Sequence, residues 1–118
     1  KTRDMLKFGQ LYIDEGAWQG QQLISPAWVA ASVARHVDIS EWASLSEAYG
    51  YQWWLDDLAY GAGTTPAYIT SGYGGQYIFA MPELDIVVAF TGQNYENGER
   101  IAELYTLVER LVLRGATP

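Results

Sequence analysis

The chain contains no cysteine among its 118 residues, so disulfide bonds and thiolate chemistry play no part in it, whatever its compartment. Basic residues are also few: seven Lys and Arg stand against 14 Asp and Glu, which gives a formal net charge of −7 at pH 7. A chain this acidic is poorly suited to bind nucleic acid or an anionic membrane surface. No apolar run reaches the ~20 residues that a membrane-spanning helix requires. We therefore expect no nucleic-acid partner and no membrane span.

The chain also lacks internal repeats and low-complexity segments, and 49% of its residues are hydrophobic, which is enough to bury a core. Its length suits one domain or part of one. A helical pattern begins at the first residues, with neither an initiator methionine nor a signal peptide before it. We interpret the chain as a piece of a longer protein, in which some functional residues lie upstream.

Apolar spacing and end signals predict two helices in the first part of the chain. Phe8 and Tyr12 lie on one face of an N-terminal helix, and Gly9 inside that helix indicates close packing against a neighbour. The dipeptide Ser25-Pro26 supplies the N-cap and the first residue of a second helix.

The second part of the chain has the patterns of strands. Residues 49–55 are rich in aromatics and predict a strand, and residues 74–91 predict two strands joined by a Pro-Glu-Leu-Asp turn. Residues 56–66 contain glycines and threonines and are predicted to form a loop. The wholly apolar run 86–90 is typical of a central strand that is covered on both faces.

A final helix is predicted from a continuous apolar stripe that ends before Gly115. The stripe consists of Ile101, Leu104, Tyr105, Val108, Leu111 and Val112. The order of elements predicts an α+β fold: an antiparallel sheet with three visible strands, a C-terminal helix packed on it, and N-terminal helices. Residues 1–48 are expected to be mainly helical, and residues 49–118 to contain the sheet and the terminal helix.

The segment that points most directly to chemistry is a glycine run at the start of a strand. Gly72, Gly74 and Gly75 occupy three of four consecutive positions and lead into an apolar strand. Glycines at such a place let backbone N–H groups approach a ligand closely. An oxyanion hole can be built from backbone N–H groups in this way, without side chains.

Four segments, in this order, resemble the C-terminal part of beta-lactamase-related serine hydrolases, which include class C beta-lactamases, penicillin-binding proteins and esterases. Residues 2–12 resemble a helix of that family's all-helical region, and residues 18–25 resemble the turn that follows it. Residues 49–54 resemble the strand that returns to the main sheet. Residues 72–85, with the sequence Gly-Tyr-Gly-Gly-Gln-Tyr-Ile followed by Pro-Glu-Leu-Asp, resemble the third active-site box and its hairpin.

The resemblance implies catalysis by a serine in a Ser-x-x-Lys box, whose lysine accepts the serine proton, and by a tyrosine in a Tyr-x-Asn box. No serine of this chain is followed three positions later by lysine, and its Tyr-x-Asn sequence at residues 95–97 comes after the third box. The resemblance therefore implies that residues 1–118 are the C-terminal portion of one serine-hydrolase domain, inactive alone, which supplies one wall of the cleft and half of the oxyanion hole.

The third box differs from the family's pattern at its first position, where Tyr73 stands in place of Lys, His or Trp. Because tyrosine carries no fixed positive charge, the difference favours an ester or amide substrate over a beta-lactam carboxylate, although the substrate class remains a small-molecule ester, amide or lactam. The resemblance assigns Tyr73 and the backbone N–H of Gln76 to catalysis, and Gly74, Gly75 and Ser71 to substrate binding. It implies neither a cofactor nor a metal.

Other interpretations of the same residues stay open. The glycine run could be only a tight entry into a strand, and the domain could be a non-catalytic binding module that keeps the fold. An exposed sheet edge could also make the chain self-associate.

Further candidate residues lie outside the glycine run. His36 is the single histidine, and its position favours a role at a helix C-terminus over one in a catalytic triad. Asp56 and Asp57 could form a metal or carboxylate pair, although adjacent acids in a loop are usually surface residues. Because side chains alternate along a strand, one of Trp53 and Trp54 is expected in the core and the other toward the cleft.

Overall fold

A computed structural model of the chain describes residues 1–41, 43, 46–93, 95 and 98–116, with the side chains of the last range described from residue 102. Its helices are α1 (Thr2–Ile13), α2 (Pro26–Ser32), α3 (Gly98–Leu107) and α4 (Arg114–Ala116), with a 3-10 turn at Pro82–Leu84 and a π-helical turn at Val108–Leu113. Its strands are β1 (Ala17–Trp18), β2 (Gln21–Gln22), β3 (Val37–Asp38), β4 (Ala48–Tyr49), β5 (Trp54–Tyr60), β6 (Gly63–Gly72), β7 (Gln76–Met81) and β8 (Ile86–Phe90).

The main sheet contains β3 to β8 in chain order, with every neighbouring pair antiparallel, and β1 and β2 form a separate hairpin. The predicted α+β fold with an antiparallel sheet is confirmed. The prediction of three strands is wrong, because the described residues place six strands in the main sheet.

The largest difference between the predicted sheet and the observed sheet is at residues 56–66. These residues were predicted to be a loop and instead lie largely in the hairpin of β5 and β6. Tyr60 pairs with Gly63, so the connection is only Gly61-Ala62, and Gly61 has a positive φ of 58°. The glycines therefore mark a two-residue turn. The threonines that follow belong to β6, where β-branched side chains are favoured.

The two sheet faces carry different helices. One face packs against the C-terminal helical segment, which consists of α3, the π-helical turn and α4. The buried core on this face contains Leu58, Ala67, Ile69, Tyr77, Phe79, Met81, Val108 and Leu113. The other face packs against the N-terminal helices, and its core contains Tyr12, Val29, Ala48, Trp53 and Leu55. The sheet is therefore the middle layer of three, with N-terminal and C-terminal helices on opposite sides.

The start of α2 has the signals that the sequence predicts, and the end of α1 is closed by a backbone hydrogen bond. Ser25 caps α2 by accepting a hydrogen bond from the Trp28 backbone N–H at 3.2 Å, with Pro26 in the first helical position, as predicted. At the end of α1 the Gly16 backbone N–H donates to the Leu11 carbonyl at 2.7 Å, which satisfies a carbonyl that the helix leaves free.

The close packing predicted at Gly9 is confirmed. A Cβ atom at this position would lie 2.5 Å from Val87 Cγ1 and 2.9 Å from Ile78 Cγ2. Because glycine lacks that atom, α1 can lie directly on β7 and β8.

The C-terminal helical segment packs on the sheet as predicted, but its predicted stripe is wrong at Leu111, which is 68% exposed. The π-helical turn explains the difference. It places Val108 and Leu113, five residues apart, on the buried side at 0% and 1% exposure. A stripe drawn with the spacing of a regular α-helix loses register at this turn.

The apolar run Ile86–Phe90 forms β8, which the sequence predicted as a central strand and which the sheet order places at an edge. The strand is nevertheless covered on both faces, because Val87 packs under α1 while Val88 and Phe90 pack toward the C-terminal core. The apolar composition of β8 thus indicates that both faces of the strand are covered, but it does not indicate how many strands lie beside it.

No helix in the described part of the chain is long and apolar enough to cross a membrane.

Candidate functional site

The glycine run forms the three-residue loop between β6 and β7. The two strands end at the pair Gly72 and Gln76, and the loop is residues 73–75. The Gly75 backbone N–H donates to the Gly72 carbonyl at 3.0 Å, and Gly75 has a positive φ of 86°. A glycine in the left-handed region is the usual third residue of such hairpin loops. Gly75 is thus required for the turn itself.

The side chain of Gln76 fixes this loop. Its Oε1 atom accepts a hydrogen bond from the Gly74 backbone N–H at 3.2 Å, and its Nε2 atom donates to the Gly92 carbonyl at 2.9 Å. A Cβ atom at Gly74 would lie 2.7 Å from Gln76 Nε2 and 3.0 Å from a ring carbon of Tyr95. Gln76 therefore ties the loop to the segment after β8, and Gly74 leaves the space for it.

The backbone N–H of Gln76 is the predicted oxyanion donor, and its direction follows from the neighbouring ladder. The Ile78 N–H donates to Thr70 Oγ1 at 3.2 Å, so the Ile78 amide points toward β6. Because amide directions repeat every second residue of a strand, the Gln76 N–H points the same way, across the pair with Gly72. Its role as an oxyanion donor stays a prediction.

Tyr73 is the most exposed residue of the loop, at 73%. Its ring lies 5.5 Å from the ring of Tyr95, centroid to centroid, and Tyr95 is itself 59% exposed. Ser71 pairs with Tyr77 one step before the loop, so strand alternation places it on the opposite sheet face from Gln76. The structure therefore brings Tyr73, Gly74, Gly75 and Gln76 together, with Ser71 beside them on the other face.

His36 lies just beyond α2 and contacts its C-terminus, as the sequence favoured. Its Nε2 atom lies 2.7 Å from the Ala31 carbonyl oxygen, and its ring stacks on Tyr51 at a centroid distance of 4.2 Å. Of the two tryptophans, Trp53 is buried at 2% exposure and Trp54 is half-buried on the other face, as alternation predicted. Trp54 packs against the core on that face, and the expected position of one tryptophan toward the cleft stays a prediction.

Asp56 and Asp57 are neighbours in β5 and lie on opposite sheet faces. Asp57 forms an ion pair with Arg35 at 3.2 Å, and Arg35 also binds Glu47 at 2.9 Å. Among the described residues there is no group of three or more His, Asp or Glu side chains that could hold a metal ion. Asp57 is therefore best interpreted as a surface residue in an ion pair.

Asp56 faces a concave region of about 390 Å³ that the sequence did not indicate. Burial raises the pKa of the Asp56 carboxyl, and it also raises the pKa of Tyr105 to about 12. The hydroxyl groups of Tyr105 and Ser46 lie 3.3 Å apart. Tyr105 is distant from Ser46 and Asp56 in the chain, so only the packing of the C-terminal helical segment on the sheet brings it to them.

Neither a scan of protein-family models nor a search of curated proteins finds a match for this chain.

Proposed function

We propose that this chain is the C-terminal portion of a beta-lactamase-like serine hydrolase domain, and that the loop of residues 73–75 forms part of its active-site wall. The observation that supports this proposal is the loop itself. Its two inner glycines are buried, its backbone is held in place by Gln76, and its tip presents Tyr73 at the surface. A rigid, glycine-lined backbone is what an oxyanion site requires.

In the proposed reaction a serine from a Ser-x-x-Lys box upstream attacks the carbonyl carbon of an ester, amide or lactam. The lysine accepts the serine proton, and the C–O or C–N bond then breaks as the leaving oxygen or nitrogen takes up that proton. The acyl-enzyme that results is hydrolysed by water. The loop would stabilise the negative charge that develops on the carbonyl oxygen. The Gly74 N–H is the better placed donor, because its present acceptor is a side-chain oxygen that a substrate oxygen could replace, whereas the Gln76 N–H points across the strand pair with Gly72.

The first test uses the chain alone. With no Ser-x-x-Lys in its sequence, it should hydrolyse neither a p-nitrophenyl ester nor nitrocefin above the rate of buffer. Serine-dependent turnover by these 118 residues would overturn the proposal.

The second test uses the full-length polypeptide that carries the upstream segment. Gly74→Ala places a Cβ atom against Gln76 and Tyr95, so we expect kcat/KM to fall by about tenfold or more, as for a displaced oxyanion donor. Gly63→Ala is the matched control, because no atom lies within 4 Å of its added Cβ. Equal activity of the two variants would contradict a role for the loop in catalysis.

A second candidate is a non-catalytic binding module with the same fold. The adjacent exposed rings of Tyr73 and Tyr95 favour it, since paired surface aromatics are common at recognition sites. The upstream sequence separates the two candidates: both the Ser-x-x-Lys and the Tyr-x-Asn boxes are expected for the enzyme, and neither for the binding module.

A further inference from the structure

Tyr73 and Tyr95, here called the tyrosine pair, lie beside the backbone group that the proposed function assigns to the carbonyl oxygen of the substrate. A Cβ atom at Gly74 would lie 3.0 Å from Tyr95 Cε1 and 3.1 Å from Tyr95 Cζ, so the hydroxyl end of this ring packs against Gly74. Gly74 carries the N–H whose present acceptor is Gln76 Oε1. The part of a substrate next to a carbonyl bound there therefore lies close to the tyrosine pair.

The Gln76 side chain holds the backbone on both sides of the tyrosine pair. Its Nε2 atom donates to the Gly92 carbonyl at 2.9 Å, three residues before Tyr95, and its Oε1 atom accepts from the Gly74 N–H, next to Tyr73. Although the two rings are largely exposed, one side chain thus ties together the loop that carries the first and the segment that carries the second.

The two rings form an angled aromatic surface. Their centroids are 5.5 Å apart and their planes are tilted by 52°. An additional aromatic ring can pack on such a surface in an offset or edge-to-face arrangement, which the ring quadrupoles favour. A saturated ring of the same size buries similar apolar area but lacks the quadrupole. The surface is therefore expected to distinguish an aromatic group from a saturated one.

The strands that lead to the tyrosine pair carry no charge near it. Residues 58–82 and 86–95 contain no Asp, Glu, Lys, Arg or His. The acids between these ranges, Glu83 and Asp85, lie at the turn between β7 and β8, at the opposite end of the strands from the loop. A charged group at the rings has no opposite charge on these strands to pair with, whereas an uncharged aromatic group needs none.

We propose that the tyrosine pair selects the substrate by stacking on an uncharged aromatic group next to the scissile carbonyl. The substrates are then esters or amides with an aryl group on the acyl side or on the leaving side. Tyr95 determines specificity in this arrangement, while the backbone of the loop binds the carbonyl oxygen. The inference rests on the proposed function, because the rings select a substrate only if hydrolysis takes place at this loop.

The upstream part of the same domain is the other group that could cover the two rings. In the proposed function it supplies the serine from across the cleft, so the tip of the loop must stay open for a substrate carbonyl to reach that serine. If the rings packed against upstream residues instead, their removal would lower activity toward every substrate to the same extent. The test therefore compares substrates as well as variants.

The test uses the full-length polypeptide and two pairs of esters that differ only in the ring. Methyl phenylacetate and methyl cyclohexylacetate carry the ring on the acyl side, and benzyl acetate and cyclohexylmethyl acetate carry it on the leaving side. Each kcat/KM is divided by the rate constant for hydrolysis by hydroxide, which removes the intrinsic reactivity of the ester. We expect the aromatic member of at least one pair to be favoured by about two- to tenfold, the contribution of one aromatic contact.

Three variants show whether Tyr95 causes this preference. Tyr95→Leu should abolish the preference, and Tyr95→Phe, which keeps the ring, should preserve it. Tyr51→Leu is the matched control, because it removes another exposed ring that stacks on His36, and it should leave the preference unchanged.

The outcomes separate this inference from the proposed function. Hydrolysis of all the esters with no preference for the aromatic members would overturn the inference and leave the proposed function intact. An equal loss of activity toward all the esters in Tyr95→Leu would also overturn it, because the ring would then act through the upstream part. If the full-length polypeptide hydrolyses none of these esters, no p-nitrophenyl ester and no nitrocefin, the proposed function fails and the inference falls with it.

Discussion

At the scale of single residues, the chain uses glycine where backbones or side chains meet closely. Gly9 allows α1 to lie on Val87 and Ile78, and Gly74 leaves space for Gln76 and Tyr95. The sequence predicted a close approach at both positions, since glycine in an ordered element usually has a steric reason. It could not predict that the groups nearest Gly74 are the side chains of Gln76 and Tyr95, which lie outside the loop of residues 73–75.

Gly9→Ala should lower the free energy of unfolding by about 1–3 kcal/mol, because the new Cβ overlaps Val87 and Ile78. This loss exceeds the ~1 kcal/mol that alanine gains in a helix. Gly115→Ala is the control, since Gly115 lies in α4 with no atom within 4 Å of an added Cβ. Urea unfolding of both variants measures the difference, and a gain in stability for Gly9→Ala would contradict the close packing.

At the scale of elements, the C-terminal helical segment shows how a local change in helix type moves a buried face. Its π-helical turn gives Val108 and Leu113 the sheet-facing positions and leaves Leu111 outside. Nothing in the apolar spacing marks this turn, because Leu111, Val112 and Leu113 are all apolar and any of them could complete a stripe. The choice among them is made by contact with the sheet.

Leu113→Ala should lower the free energy of unfolding by about 2–5 kcal/mol, because it opens a cavity beside the buried cluster of β5, β6 and β7. Leu111→Ala removes the same atoms two residues earlier from a side chain that is 68% exposed, so its effect should stay within about 0.5 kcal/mol. Thermal or chemical denaturation of the pair measures the ratio. Similar losses for both variants would show that the segment packs as a regular helix.

At the scale of the whole molecule, the fold raises the pKa of the Asp56 carboxyl. Burial is the main cause of its raised pKa, and the charges of Glu47, Asp57 and Glu109 add to it, while the hydrogen bond from the Asp57 N–H acts in the opposite direction. Glu109 is distant from Asp56 in sequence. The raised pKa is therefore a product of tertiary structure.

The raised pKa fixes the sign of a pH effect. The folded state holds the Asp56 proton more tightly than the unfolded state does, so this group favours folding below its usual pKa of 3.8, and the advantage is lost as pH rises through the higher folded value. Asp56→Asn should thus stabilise the protein at neutral pH and have little effect below pH 3.8. Unfolding measured from pH 3 to 8, a range of about 5 units, tests this.

The substitution Asp38→Asn should change stability in the opposite direction to Asp56→Asn. Hydrogen bonds from the side chain and backbone of Ser40 lower the pKa of Asp38, so its contribution to stability is present above pH 3.8 and is lost as pH falls. We expect this substitution to lower stability at neutral pH. The same sign for both variants would show that general charge reduction, and not the position of each carboxyl, controls the stability.

The sequence by itself determined the class of fold, both N-terminal helices and the existence of the C-terminal one, because caps, periodicity and β-branched runs act over a few residues. Ser25 and Pro26 began α2 as their chemistry requires. Tertiary structure decided which strands are neighbours, since the apolar run at β8 satisfies equally a central strand or an edge covered by helices. It also decided that Gly61 closes a hairpin, that Leu113 and not Leu111 is buried, and that Gln76 holds the glycine loop. All of these except the Gly61 turn depend at least in part on contacts between residues far apart in the chain, such as that of Gln76 with Gly92, which no local pattern records.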